Sequence, residues 1–167
     1  MHAVWPILVA LVTGPSGDRP AVAPLAHVRA APNAVTLLDQ AAATSAIVRD
    51  LMARLAGTDV IVYVEVTSSP QIPLARTKLV TATAAARFLR IGLRANVPIV
   101  DVTPLIAHEL QHALEIAECA DARNDEGVRR LYLRIGHQHG IDQFETEAAG
   151  AIEQRVRAEL RSRIAHP

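Results

Sequence analysis

Residues 108–112 read His108-Glu109-Leu110-Gln111-His112. Histidines four positions apart stand one turn apart on one face of a helix, so both imidazoles can reach a single tetrahedral Zn²⁺. Glu109 points to the side of that pair. A carboxylate there is placed to accept a proton from an attacking water instead of binding the metal. The neighbours, Leu105-Ile106-Ala107 before and Ala113-Leu114 after, are uncharged. That separates the motif from two histidines on an ordinary solvated helix face.

For these side chains to converge, the motif must lie on a helix. Thr103-Pro104 predicts its start, a capping residue followed by proline at the first helical position. The helix is expected to run to about Cys119. Upstream, Val35, Leu38, Ala42, Ile47, Leu51, Met52 and Leu55 mark the apolar stripe of a helix from Asn33, its cap, to Leu55. Asp59–Thr67 is short and β-branched and reads as a strand. Ser68–Pro73 reads as a turn and Lys78–Thr83 as a second strand. Arg87–Arg94 alternates, with Leu89, Ile91 and Leu93 facing one way and Arg90 and Arg94 the other, which is a half-buried strand. Downstream, Asp125 predicts the cap of a helix through Ile135, which Gly136 stops. A loop, His137–Ile141, then leads to a last helix from about Asp142 to Arg163. Helix, three strands and three helices make an α+β arrangement in one domain over residues 33–167.

The motif resembles that of the zincin metallopeptidases through His108, Glu109 and His112. The resemblance implies a small zincin-like domain with a short mixed sheet of about three strands. In that family an edge strand precedes the active-site helix and pairs with extended substrate, and Arg87–Arg94 stands in that place. A third metal ligand is also implied. The metzincin continuation HExxHxxGxxH is not met, because Glu115 and Glu118 occupy its Gly and last His positions. The gluzincin branch takes a Glu from a later helix in an ExxAD pattern. Residues 145–149 read Glu145-Thr146-Glu147-Ala148-Ala149, matching at Glu145 and Ala148. The gluzincin-like resemblance makes Glu145 the third ligand, with Glu147 its rival. On a helix the two are about 200° apart, so only one can face the metal. Asp142 followed by Glu145 also reads as a capping box, in which Glu145 would serve the backbone. Ala149 stands where the family has an Asp that orients a ligand histidine; Glu115, Glu118 or a backbone carbonyl are the substitutes.

The activity this implies is zinc-dependent hydrolysis of a peptide or protein substrate, with Glu109 as general base. The alternative is a non-catalytic zinc-binding domain used for binding or scaffolding. Peptide deformylases share HExxH but draw a cysteine ligand from an upstream motif. Here the single cysteine, Cys119, lies downstream, about 10 Å along the helix axis from His112, and reads as a small core residue.

Composition narrows the partners. Half of the 167 residues are apolar and 20% are charged, the balance of a folded chain. Seventeen basic and seventeen acidic residues leave no formal charge, and aromatics are 3%. Both argue against a nucleic-acid surface. A lone cysteine excludes an internal disulfide. The apolar run Ala3–Val12 is too short for a bilayer, which takes about 20 residues, but suits the h-region of a signal peptide. Residues 1–20 therefore read as a signal peptide and 21–32 as a linker, which implies an exported protein, periplasmic or secreted. No later segment reads as a membrane span. His137 and His139 read as solvated loop histidines, and Tyr132 as a helix residue with an exposed hydroxyl. Any of these could otherwise steady an oxyanion. The charges of the last helix read as a solvated face with pairs such as Glu159–Arg163.

Overall fold

Alternation decides the sheet. In Val60-Ile61-Val62-Tyr63-Val64 every second residue is a buried valine, and Leu89, Ile91 and Leu93 repeat the pattern. Such segments bury one face and leave the other open. The computed structural model describes residues 27–69, 72–140 and 143–165. The signal segment read at 1–20, linker residues 21–26 and the expected helix start at Asp142 lie outside these.

Among the described residues the architecture is α+β. Strands β1 (Val28–Ala30), β2 (Val60–Thr67), β3 (Ala75–Ala82) and β4 (Arg87–Arg94) form one mixed sheet in the order β1-β2-β4-β3. β1 and β4 run parallel to β2, and β3 runs antiparallel to β4. Helices α1 (Val35–Thr44), α2 (Ala46–Ala56) and α3 (Ile99–Glu118) supply the apolar side chains that meet the sheet. α4 (Asp125–Ile135), a hairpin of β5 (Gly136–Gly140) and β6 (Gln143–Thr146), and α5 (Glu147–Ala165) complete the chain. No helix of the described residues is long and apolar enough to cross a membrane.

Several expectations are corrected. β1 falls inside the segment read as a linker; three residues between prolines carry too little pattern to be seen as a strand. The helix expected from Asn33 to Leu55 is two helices, broken at Ser45, whose backbone is extended (φ −130°, ψ 123°). Ser45 caps α2 by accepting from Val48 N at 3.2 Å. A distant carboxylate completes that cap: Glu159 of α5 accepts from Ser45 Oγ at 2.6 Å and Ala46 N at 2.7 Å. Asn33 caps nothing and instead pairs with both backbone groups of Val66 on β2. The motif helix starts not at Thr103-Pro104 but at Ile99, with Pro98 at its N-cap, so Pro104 lies inside α3. Asp101 in the first turn suits the positive end of the helix dipole. Asn124, not Asp125, caps α4, accepting from Gly127 N at 2.8 Å. The loop His137–Ile141 is largely strand β5.

Arg87 ties the sheet to the motif helix. It is almost fully buried and donates to Ile116 O (2.6 Å), Ala117 O (2.8 Å) and Cys119 O (2.8 Å). Those carbonyls at the C-terminus of α3 would otherwise lack partners. Its Nε pairs with Asp59 at 3.0 Å, and Arg123 joins the same carboxylate. The two guanidinium groups hold the Asp59 carboxyl below its ordinary pKa, Arg87 most strongly, against the opposing effect of partial burial. α3 is the interior element of the fold: Ile106, Leu110, Leu114 and Ile116 are buried against the sheet and α2. Each such side chain contributes about 1.5–3 kcal/mol by leaving water.

Candidate metal centre

On α3 the two histidines behave as their spacing requires. Both are buried, and His108 Nε2 lies 3.1 Å from His112 Nε2. Glu145 Oε2 lies 3.2 Å from His108 Nε2. One ligand atom from each of His108, His112 and Glu145 falls within 4.8 Å of the others. Two nitrogens and a carboxylate oxygen are the donor set of a three-ligand catalytic zinc site. Ligand atoms at about 2.0–2.1 Å around a tetrahedral ion lie about 3.3 Å from one another, close to the spacing of the two imidazole nitrogens. The residues present therefore fit a zinc ion.

Glu145 reaches the cluster from a strand, not from the last helix. β6 carries it, antiparallel to β5, with His137 opposite. The expectation that Glu145 and Glu147 share a helix is thus corrected. Glu147 begins α5 and is exposed. Glu145 also precedes α5 and so is not the third helical residue of a capping box; the cap of α5 is Thr146, whose Oγ1 accepts from Ala149 N at 3.1 Å. Gly136, where α4 passes into the hairpin, admits no side chain there: a Cβ would stand 2.5 Å from Glu145 O.

Each of the two histidines has a carboxylate at its other nitrogen. Glu115, buried, accepts from His112 Nδ1 at 2.9 Å and from Thr146 Oγ1 at 2.7 Å. It was one of the three substitutes considered for the missing Asp at Ala149. Glu118, another, is at the surface and pairs with Arg54. Sequence reasoning missed Glu153. Its Oε2 lies 3.1 Å from His108 Nδ1, within ion-pair distance but outside hydrogen-bond geometry, so that nitrogen is buried without a hydrogen-bond partner. Arg157 steadies Glu153 at 2.8 Å and also pairs with Asp101. The signal was local: Glu153 lies one turn beyond Ala149 and four residues before Arg157. Carboxylates at this distance orient a ligand imidazole and raise its basicity. Burial disfavours the charged form of His108, but the hydrogen bond to Glu145 and the charges of Glu109, Glu145 and Glu153 outweigh it and raise its pKa above 6.5.

Glu109 is also buried and faces β3. Thr77 Oγ1 donates to its Oε2 at 2.6 Å and lies 3.1 Å from its backbone carbonyl. Tyr132, expected at the surface, is buried and donates to His112 O at 3.3 Å. Its ring meets His112 edge-on and stacks on Phe144. Burial first, then the charges of Glu115, Glu109 and Glu145, push its phenol well above 10, so it stays protonated. His137 is exposed on β5. The side chain of His139 lies outside the described residues. Cys119 is half-buried at the end of α3, remote from the ligands.

The cluster opens into a cleft of about 480 Å³ between β3 (Ala75–Leu79) and α4 (Val128, Arg129, Tyr132). Among the described residues β3, not β4, is the edge of the sheet beside it, because β4 is paired on both sides. The expectation that Arg87–Arg94 presents a free edge is corrected: β3 returns antiparallel and covers it.

No family model, curated protein or solved structure matches this chain. The functional reading therefore rests on the geometry.

Proposed function

We propose that this chain is a zinc-dependent peptidase of zincin-like, gluzincin-like plan. One observation carries the reading: His108, His112 and the Glu145 carboxylate converge at the floor of an open cleft, next to a buried Glu109 on the same helix. His108 Nε2, His112 Nε2 and Glu145 would hold Zn²⁺. When bound, the ion lowers the pKa of a water and polarises a carbonyl. Glu109 takes the proton from the attacking water and delivers it to the leaving amine. Thr77 holds the Glu109 carboxylate toward β3 in one orientation. Extended polypeptide adds to β3, the edge strand among the described residues, with its backbone paired along Ala75–Leu79. The deep cleft wall of Leu105, Val128 and Phe144 offers apolar contact to a side chain next to the scissile bond.

The test joins metal content to turnover. Reconstituted protein is expected to carry about one zinc per chain and to cleave labelled casein or a peptide library, with a chelator abolishing cleavage. Glu109→Gln is expected to keep the metal and lose cleavage, because an amide cannot accept the proton. Metal bound with no cleavage of any substrate would favour the non-catalytic zinc-binding domain. A protein that takes up no zinc would overturn both.

A further inference from the structure

Asp101, Arg157 and Glu153 stand in line between the first turn of α3 and His108. α5 packs on α3, and its buried residues Ala149 and Val156 mark the seated face. Glu153 lies one turn past Ala149 and three residues before Val156, so it shares that face. Arg157 donates from Nε and Nη2 to one oxygen of Glu153, Oε1, at 3.1 and 2.8 Å. Its Nη1 donates to Asp101 Oδ1 at 2.5 Å. The other oxygen of Glu153, Oε2, lies 3.1 Å from His108 Nδ1. The two histidines differ at this point. His112 Nδ1 has a closed hydrogen bond to Glu115, which is on its own helix, at 2.9 Å. His108 Nδ1 is as near to its carboxylate but off the hydrogen-bond line, and among the described residues it is a buried nitrogen without a hydrogen-bond partner. A buried polar atom beside a carboxylate oxygen that Arg157 does not use is satisfied by a turn of either group. Arg157 sets how that carboxylate is turned, because a planar guanidinium fork fixes the group it grips.

We propose that Asp101 and Arg157 are positioning residues for zinc: Asp101 holds Arg157, Arg157 holds one oxygen of Glu153, and the other oxygen takes the Nδ1 proton of His108, which leaves Nε2 bare toward the ion. The inference rests on the zinc-binding reading of His108, His112 and Glu145. Asp101 stands seven residues before His108, about 10 Å along the helix axis. Among the described residues its carboxylate pairs with Arg157 and not with the cluster. A residue at that distance then sets metal affinity through α5 and not through α3, on which it stands. A plain ionic tie between the two helices would need only opposite charges in reach. The geometry is more specific, since Arg157 spends two donors on one oxygen of Glu153 and leaves the second oxygen at the imidazole. An imidazole that donates from Nδ1 to a carboxylate is fixed in the tautomer whose Nε2 can bind a metal.

The test measures zinc affinity of the full chain by competition with a chromophoric chelator, well below the melting temperature of each metal-free variant. Glu153→Ala is expected to bind zinc about 10–100-fold more weakly and Arg157→Gln roughly tenfold more weakly. Asp101→Ala is expected to lose roughly threefold, the size of one half-exposed ion pair. Glu153→Gln has one acceptor oxygen for two donors and is expected to fall between Glu153→Ala and the parent. Should Glu153→Ala not fold, Glu153→Gln and Arg157→Gln carry the comparison. A second readout separates positioning from a mere tie. Proton NMR of the zinc-loaded parent is expected to show a slowly exchanging imidazole N–H for each of His108 and His112. Glu153→Ala and Arg157→Gln are expected to lose or shift the His108 signal and to keep that of His112, which Glu115 holds. Unchanged zinc affinity in Arg157→Gln or in Asp101→Ala would overturn the proposal. So would a weakened affinity with both imidazole signals intact, the mark of a structural tie. A parent that takes up no zinc would instead remove the zinc reading on which the inference rests, so the two failures are told apart by the parent alone.

Discussion

Replacing Glu115 by alanine tests how the proposed metal centre is held together. Its buried carboxylate accepts from His112 Nδ1 at 2.9 Å and from Thr146 Oγ1 at 2.7 Å. Thr146 is the neighbour of Glu145 and the cap of α5. One side chain thus joins His112 to the strand that carries Glu145. Two hydrogen bonds to a charged group are each worth about 1.5–3 kcal/mol when intact. The gain from no longer burying a carboxylate offsets part of that loss. What remains falls on ligand orientation. Loss of such a partner lowers metal affinity by about 10–100-fold, or roughly 1.4–2.8 kcal/mol at 1.4 per tenfold. Because both ligands are affected, the upper end is expected. Glu115→Gln keeps the shape and one acceptor oxygen, enough for the contact to His112, and should fall near the lower end. Zinc affinity is measured by competition with a chromophoric chelator, alongside thermal unfolding of the metal-free protein. The reasoning fails if Glu115→Ala binds zinc within about threefold of the parent, or if its loss is fully explained by unfolding.

Three further outcomes follow from the same contacts. Gly136→Ala should weaken zinc binding by pushing Glu145, since the new methyl would meet Glu145 O at 2.5 Å; Gly150→Ala, which meets nothing within 4 Å inside α5, should stabilise by about 0.5–1 kcal/mol. Denaturant titration and zinc competition on both variants check the contrast. Arg87→Leu should cost about 3–5 kcal/mol by denaturant unfolding, because it leaves Asp59 without its main partner and three helix-end carbonyls without donors. The Glu159 carboxyl is raised by burial but lowered more by its bonds to Ser45 and the N-terminus of α2, so its folded pKa lies below 4.5. Its contribution is complete above 4.5 and is lost as pH falls through the folded value; Glu159→Gln should flatten that part of an unfolding-versus-pH curve.

Some of this molecule is legible along the chain. The alternation of Arg87–Arg94 marks a strand with those bounds, and the coarse α+β order survives. Helix ends are less legible. Thr103-Pro104 has the form of a helix start, but α3 begins five residues before Pro104, at Ile99. Ser45 breaks a long apolar stripe because Glu159, more than a hundred residues away, caps the break. Three residues of β1 carry no period of their own and are strand only because β2 lies beside them.

The same division runs through the candidate metal centre. An α-helix fixes the relation of residues four apart, so the local order His108-Glu109-Leu110-Gln111-His112 alone places two imidazoles together and a carboxylate beside them. Nothing local places Glu145 with them. It stands on a short strand whose position is set by pairing with β5 and by Thr146 bonding to Glu115, contacts between groups far apart in sequence. Glu153 at His108, Thr77 at Glu109 and the choice of β3 as the free edge are of the same kind. Side-chain period within one element is a property of backbone geometry, whereas which elements meet is settled by the burial of apolar faces across the whole chain.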